Sequence, residues 1–176
     1  GMPIQAADQK CTIKGTNISC DQIAQQDDRC FWYANTLGVN LTSEGGQAYY
    51  DSLAELYASW NVDFIKADDM NSWDGDSPNQ PYHTDEIEAL RKAIDKTRRP
   101  MVLSLSPGTA LFCNANHLKN HANMWRISAD FWDDWDSLKK QFKQCAKWAE
   151  YTVEGAWPDP DMLPLGRIGI RGEVGE

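Results

Sequence analysis

The stretch Val62-Asp63-Phe64-Ile65-Lys66-Ala67-Asp68-Asp69 decides how this chain is read. An apolar run that follows an amphipathic helical pattern and closes on a lysine and paired aspartates reads as a buried strand. It would deliver carboxylates to its C-terminal end. Trp125-Arg126-Ile127-Ser128-Ala129-Asp130 and Trp157-Pro158-Asp159-Pro160-Asp161-Met162-Leu163 repeat the theme, and Met101 to Ser106 lies between the first and second with a polar end instead of an acid. The spacing is that of successive barrel strands. Carboxylates raised on several strands toward one rim are what cleavage of a glycosidic bond requires.

Helical patterns separate these segments. Ser43 to Trp60 carries Tyr49, Leu53, Leu56, Tyr57 and Trp60 on one face. Thr84 is a good N-cap, Asp85 and Glu86 follow where the helix dipole favours negative charge, and Ile87, Leu90 and Ile94 form the apolar stripe. Leu138, Phe142, Cys145 and Ala149 line a further helix. Residues 1–42 are polar and weakly periodic and read as a loop-rich segment, with one helical turn near Asp21 to Gln26; 43–176 read as βα units. Repeated β-then-α units imply a parallel sheet with helices packed on it. No glycine-rich nucleotide loop is present, so the acids favour a (β/α) barrel over a doubly wound sheet. A complete barrel takes about 250 residues. The expectation is therefore α/β, a partial (β/α)8 barrel of about four strands.

Composition narrows the partners. The 176 residues are 41% hydrophobic and 24% charged, as in soluble globular domains. A net charge of −9 argues against nucleic acid, which selects a basic face. No apolar run approaches the roughly 20 residues that span a bilayer. Gly1 before Met2 reads as a tag remnant, compatible with an export signal lost upstream. The five cysteines, Cys11, Cys20, Cys30, Cys113 and Cys145, lack zinc-ligand spacing. The Cys11 to Cys30 stretch suits one disulfide in an exported protein and equally suits free thiols. Asn17-Ile18-Ser19 and Asn40-Leu41-Thr42 match the glycosylation sequon, a motif short enough to recur by chance.

At these segments, from about Leu41 to Gly169, the sequence resembles glycoside hydrolase family 27, the α-galactosidases and α-N-acetylgalactosaminidases. The resemblance rests on Val62 to Asp68, Trp125 to Asp130 and Trp157 to Leu163, in the family's order and separated by helix-length segments. It implies Asp68 as nucleophile and Asp130 as general acid/base of a retaining double displacement, with no metal or organic cofactor. It also implies Lys66, Ser106, Arg126, Asp161 and Met162 as substrate-binding residues. Lys66 and Arg126 would bond sugar hydroxyls and orient the carboxylates, and Asp161 would bind the hydroxyl nearest the anomeric carbon. Ser106 stands where the family varies its residue with the C2 substituent, and with Thr109 and Ala110 it resembles members that accept an acetamido group. Opposite protonation states require Asp68 near Lys66 and Asp130 in the less charge-stabilised environment. The family's paired aspartates on an early strand, its last barrel strand and its C-terminal β-sandwich have no counterpart here. Met70 stands at a position that is often a disulfide cysteine in the family. The resemblance further implies a secreted or periplasmic location.

Each candidate has a plainer reading beside it. Asp68 would also serve as a strand-end cap, with Asp69 as the reactive group. Asp130 lies among Asp133, Asp134 and Asp136, acids suited to a helix start. Asp159 and Asp161 flank Pro160 in what reads equally as a rigid turn. Lys66 would form a structural ion pair. Trp60 and Trp148 read as core, whereas Trp32, Trp73 and Trp157 are the candidate sugar platforms. His83, His117 and His121 read as surface or capping residues. The leading function is a retaining α-glycosidase catalytic-core fragment acting on a carbohydrate, with the open barrel edges offering a route to homo-oligomers. The alternatives are a non-catalytic carbohydrate-binding or scaffold fragment and an unrelated carboxylate-based lyase or isomerase.

Overall fold

The computed structural model describes residues 1–71 and 81–162. The Trp73 platform, most of the loop between Asn71 and Tyr82, Leu163 and the polar tail Gly166 to Glu176 lie outside the described residues. The chain forms two units, Gly1–Ile65 with His83–Val102, and Lys66–Tyr82 with Leu103–Glu176.

The first unit holds an antiparallel sheet of strands β1 (Met2–Pro3), β3 (Thr36–Val39) and β2 (Ala24–Arg29), in that order. Helix α1 (Ile4–Asp8) and a 3₁₀ turn at Cys20–Gln22 complete its early part. Sequence periodicity does not reveal these strands, because two of them are four residues or shorter and β2 reads Ala-Gln-Gln-Asp-Asp-Arg. Helices α2 (Glu44–Ser59) and α3 (Thr84–Lys96) pack against each other. In α2 the buried residues are Gly45, Gly46, Tyr49, Tyr50 and Ala54. A Cβ on Gly46 would lie 2.3 Å from the Asn40 carbonyl oxygen, so only glycine allows this approach. The expected stripe is thereby rotated: Tyr49 is buried, but Leu56 is 41% and Trp60 64% exposed, so Trp60 is not core. Ile87, Leu90 and Ile94 of α3 are buried as their spacing requires. That helix begins at Thr84 with His83 as its N-cap, one residue before the expected cap.

Glu86 is the polar centre of this unit. It is 5% exposed, and its carboxylate meets the Gly1 ammonium at 2.8 Å, the Val39 N–H at 2.8 Å and the Tyr50 hydroxyl. Burial alone would raise its pKa. The Gly1 charge, with hydrogen bonds from Gly1, Tyr50 and Val39, outweighs burial and holds it below the ordinary 4.5.

The second sheet has the order β4 (Phe64–Ala67), β5 (Val102–Leu105), β6 (Met124–Arg126), β7 (Trp157–Asp159). Register Ser104↔Met124 and Arg126↔Asp159 makes the last three strands parallel. Between β4 and β5, Val102 N–H donates to Asp63 O and Ser106 N–H to Ala67 O, so both numbers rise together, again as in a parallel pair. β4 is an edge strand, and that corrects its reading as buried: Phe64 is 50% exposed. The second unit's core is Leu103, Leu105, Leu118, Trp125, Ile127, Phe131 and Trp148, and Phe112 stacks on Trp148 at 4.5 Å. Helices α4 (Ala115–His121) and α5 (Trp135–Trp148) follow β5 and β6.

α5 overturns its expected stripe. It buries Gln141 and Trp148, while Phe142 is 72% exposed and Cys145 and Ala149 are exposed. All five cysteines are free thiols. No helix among the described residues is long and apolar enough to cross a membrane.

Glu86→Gln should cost about 2 kcal/mol at neutral pH, since hydrogen bonds to a buried charge are lost. A carboxyl held below its unfolded value contributes stability above that value and loses it as pH falls through the folded one. Urea unfolding followed from pH 7 to pH 3 should therefore show a smaller acid-side loss in the variant than in the parent. Equal losses would remove Glu86 as the source.

Candidate active site

Four adjacent parallel strands gather whatever follows their C-terminal ends along one edge of the sheet. Asp68 directly follows β4, Ser106 directly follows β5, Asp130 comes four residues after β6 and Asp161 two after β7. All belong to the second unit. One strand separates β4 from β6, which sets their backbones about 10 Å apart. Side chains reaching inward from such a spacing leave room for a sugar ring.

Two cations serve the three acid candidates. Lys66 Nζ lies 3.0 Å from Asp68 Oδ1, and both side chains are about half exposed. Lys66 thus avoids unpaired burial in the way its apolar setting demanded. Arg126 is 4% exposed and reaches two carboxylates, with Nη1 2.8 Å from Asp161 and Nη2 3.3 Å from Asp130. Nη2 also donates to Ser128 O at 3.1 Å. Asp130 thus has the longer share of a guanidinium turned mainly toward Asp161, while Asp68 has Lys66 at 3.0 Å. Asp130 is 46% exposed, against 5% for Asp161.

Asp161 has a protein partner at both oxygens, since Oδ2 accepts the Phe131 N–H at 2.6 Å. Its own N–H donates to Asp159 Oδ1 at 2.9 Å, which fixes the turn around Pro160. Burial pushes its pKa up; hydrogen bonds from the Phe131 and Met162 N–H groups and the Arg126 charge oppose the rise, and Asp130 adds to it. The direction means that desolvation wins over pairing. Asp161 thus ties the β7 end to the β6 loop, a structural job beside the sugar contact that the resemblance implies. Met162 is 47% exposed.

Ser106 is 2% exposed and its carbonyl accepts from Met70 and Asn71 N–H. Asn71, 1% exposed, donates Nδ2–H to Arg126 O at 3.1 Å and so links the segment after β4 to β6. On the β6 loop, Gln141 Nε2 donates to Ser128 Oγ at 3.0 Å and Gln144 Nε2 to Ile127 O at 3.1 Å. A Cβ on Gly108 would lie 1.8 Å from Ser128 O, so the loop after β5 presses on the loop after β6. Sequence reading missed Asn71, Gly108, Ser128 and Gln141. The one available signal was Gln141, a polar residue three after Leu138 and four before Cys145, on the flank of the apolar stripe itself. Trp32 and Trp157, read as platforms, are 42% and 50% exposed, while Trp148 is core. His83 caps α3, and His117 meets the Tyr82 hydroxyl at 2.6 Å.

The sequence profile of the alpha galactosidase A family matches residues 23–174. α-Galactosidase 2 of Arabidopsis thaliana is 30% identical over 146 residues, 80% of this chain and 34% of the plant protein. α-N-Acetylgalactosaminidase of Gallus gallus is 31% identical over 126 residues, 66% of this chain and 30% of that one. The crystal structure of a family 27 β-L-arabinopyranosidase from Geobacillus stearothermophilus superposes with a TM-score of 0.89 at 50% identity, over 97% of this chain and 38% of that enzyme. The chain spans about a third of the length of these relatives.

Arg126→Met leaves Asp161 buried and unpaired and should cost about 3–5 kcal/mol. Asp161→Asn keeps an acceptor for Phe131 N–H and leaves Arg126 with Asp130, so about 1–2 kcal/mol is expected. Urea denaturation of both variants checks the order. An Asp161→Asn variant as unstable as Arg126→Met would contradict the shared-guanidinium account.

Proposed function

Since this chain belongs to the alpha galactosidase A family of glycoside hydrolase family 27, we propose that it is the catalytic-core portion of a retaining glycosidase, cleaving terminal α-galactoside or α-N-acetylgalactosaminide bonds. The observation that carries this reading is the pair Asp68 and Asp130, each following a parallel strand, one strand apart, each beside a cation. In the first step an Asp68 oxygen bonds to the anomeric carbon as the bond to the leaving oxygen breaks. The Asp130 proton goes to that oxygen. In the second step Asp130 takes a proton from water, the water oxygen bonds to the anomeric carbon, and the ester to Asp68 breaks. Lys66, 3.0 Å away, holds the Asp68 carboxylate in place for attack. Arg126 holds the Asp130 side chain in place while its proton moves out and back. Carboxyls about 5–5.5 Å apart would give retention.

A second sugar is favoured by a specific likeness, the 50% identity and 0.89 TM-score to the Geobacillus enzyme, which is named a β-L-arabinopyranosidase. α-D-Galactopyranose and β-L-arabinopyranose share ring stereochemistry and differ by the exocyclic hydroxymethyl group. One pair of carboxylates therefore serves both. The small Ser106 side chain favours the acetamido sugar only through the family resemblance.

Assays with 4-nitrophenyl α-galactoside, α-N-acetylgalactosaminide and β-L-arabinopyranoside discriminate the three glycones. The first-formed sugar, followed by proton NMR, should keep its anomeric configuration. Asp68→Ala should lower turnover by at least roughly 10³-fold. Asp130→Ala should lower it by about 10²–10⁴-fold. Sugar binding without turnover of any of the three, by this chain and by a full-length protein that restores the flanking barrel strands alike, would instead support the scaffold alternative.

A further inference from the structure

Asp130 lines an open groove of about 410 Å³ along α5, within the size range of ligand sites. Lys140, Lys143 and Lys147 line the same groove together with Ser137 and Gln141. The lysine spacing of three and four residues sets their side chains on one helix face. Among the described residues none of the three takes part in an ion pair. Asp136, the nearest acid on the helix, is engaged by Lys139 at 2.7 Å, and Asp134, which also acts on Lys140, holds the Ser137 N–H as an N-cap. Three unpaired cations on one groove are unexpected in a chain with 26 acidic and 17 basic residues, since its overall field repels anions.

Gln141 forms the wall between these lysines and the loop after β6: it is 9% exposed and its Nε2 donates to Ser128 Oγ at 3.0 Å.

Resting on the reading of Asp130 as proton donor, we propose that this groove is the leaving-group subsite and that it takes a sugar bearing a carboxylate or a sulfate. The proton donor faces the leaving oxygen, so the part of the substrate beyond that oxygen departs on the Asp130 side. Its anionic group meets the lysines. The glycone itself stays neutral.

Two measurements on the 176-residue chain test this. The first compares kcat/KM for an α-galactoside of galacturonic acid with that for its methyl ester, in the parent and in the Lys143→Glu/Lys147→Glu variant. The acid-to-ester ratio should exceed one in the parent and fall about fivefold to tenfold in the variant, as expected for two exposed charges reversed. The second follows binding of tri-galacturonate, its methyl ester and a sulfated galactose trisaccharide by tryptophan fluorescence at 20 and 300 mM salt. Preference for tri-galacturonate identifies a carboxylate site and preference for the sulfated sugar a sulfate site; both lose affinity in salt and in the variant. Charge-selective binding with no hydrolysis, by this chain and by the full-length protein alike, would keep the groove as an anionic-sugar site and reject the hydrolase reading. Hydrolysis of acid and ester at equal rates, with no charge preference in binding, would overturn the groove assignment and leave the hydrolase reading standing.

Discussion

The Arg126 guanidinium, 4% exposed, is shared by carboxylates that follow two neighbouring strands. Such a group has no neutral form to retreat to, so burying it obliges the fold to bring acids to it. Asp161 answers with a 2.8 Å contact and Asp130 with a longer one at 3.3 Å. The upward direction of the Asp161 pKa shows that pairing does not fully offset the desolvation of its carboxylate. The cluster therefore contributes geometry more than stability. It sets where the β6 loop lies against the β7 end, and with it where the Asp130 carboxyl stands.

Around that centre the loops are held by contacts with little slack. Gly108 admits the Ser128 carbonyl where any side chain would collide, Asn71 bonds the backbone of Arg126, and Gln141 reaches Ser128 from α5. Catalytic groups positioned within fractions of an ångström need this kind of support, because misplacement costs rate steeply. The same demand explains why α5 turns Gln141 inward at the expense of a smoother apolar face. A polar side chain there secures a loop. A leucine would have packed without fixing it.

Much of this was legible in the chain. Val62 to Asp68, Met101 to Ser106 and Trp125 to Asp130 each contain a strand of the parallel sheet, because a short apolar run ending in polar residues has few other uses. The Ile87, Leu90 and Ile94 stripe is buried because α3 is covered on one side and wet on the other. The stripes of α2 and α5 misled for opposite reasons. In α2 Gly46 lets the backbone approach Asn40 and Gly45 admits Ile18 and Ile23, and the buried face turns toward Tyr50 and Ala54. In α5 Phe142 and Cys145 follow a helical period yet stand exposed, while Gln141 and Gln144 make hydrogen bonds to the loop after β6. The three-stranded sheet near the start was invisible because its strands are short and one is polar throughout.

The sequence by itself determined the fold class, the order of the strands along the chain and the acids at their ends, since these depend on local periodicity and on motifs that survive as strings of letters. Only the tertiary structure decided that one arginine serves two acids, that Asp161 is buried with both oxygens engaged, and that the lysines of α5 share a groove with Asp130. Those facts depend on which strand lies beside which and how closely loops approach. Residues 35 positions apart in the chain become neighbours there, and no local pattern records the distance between them.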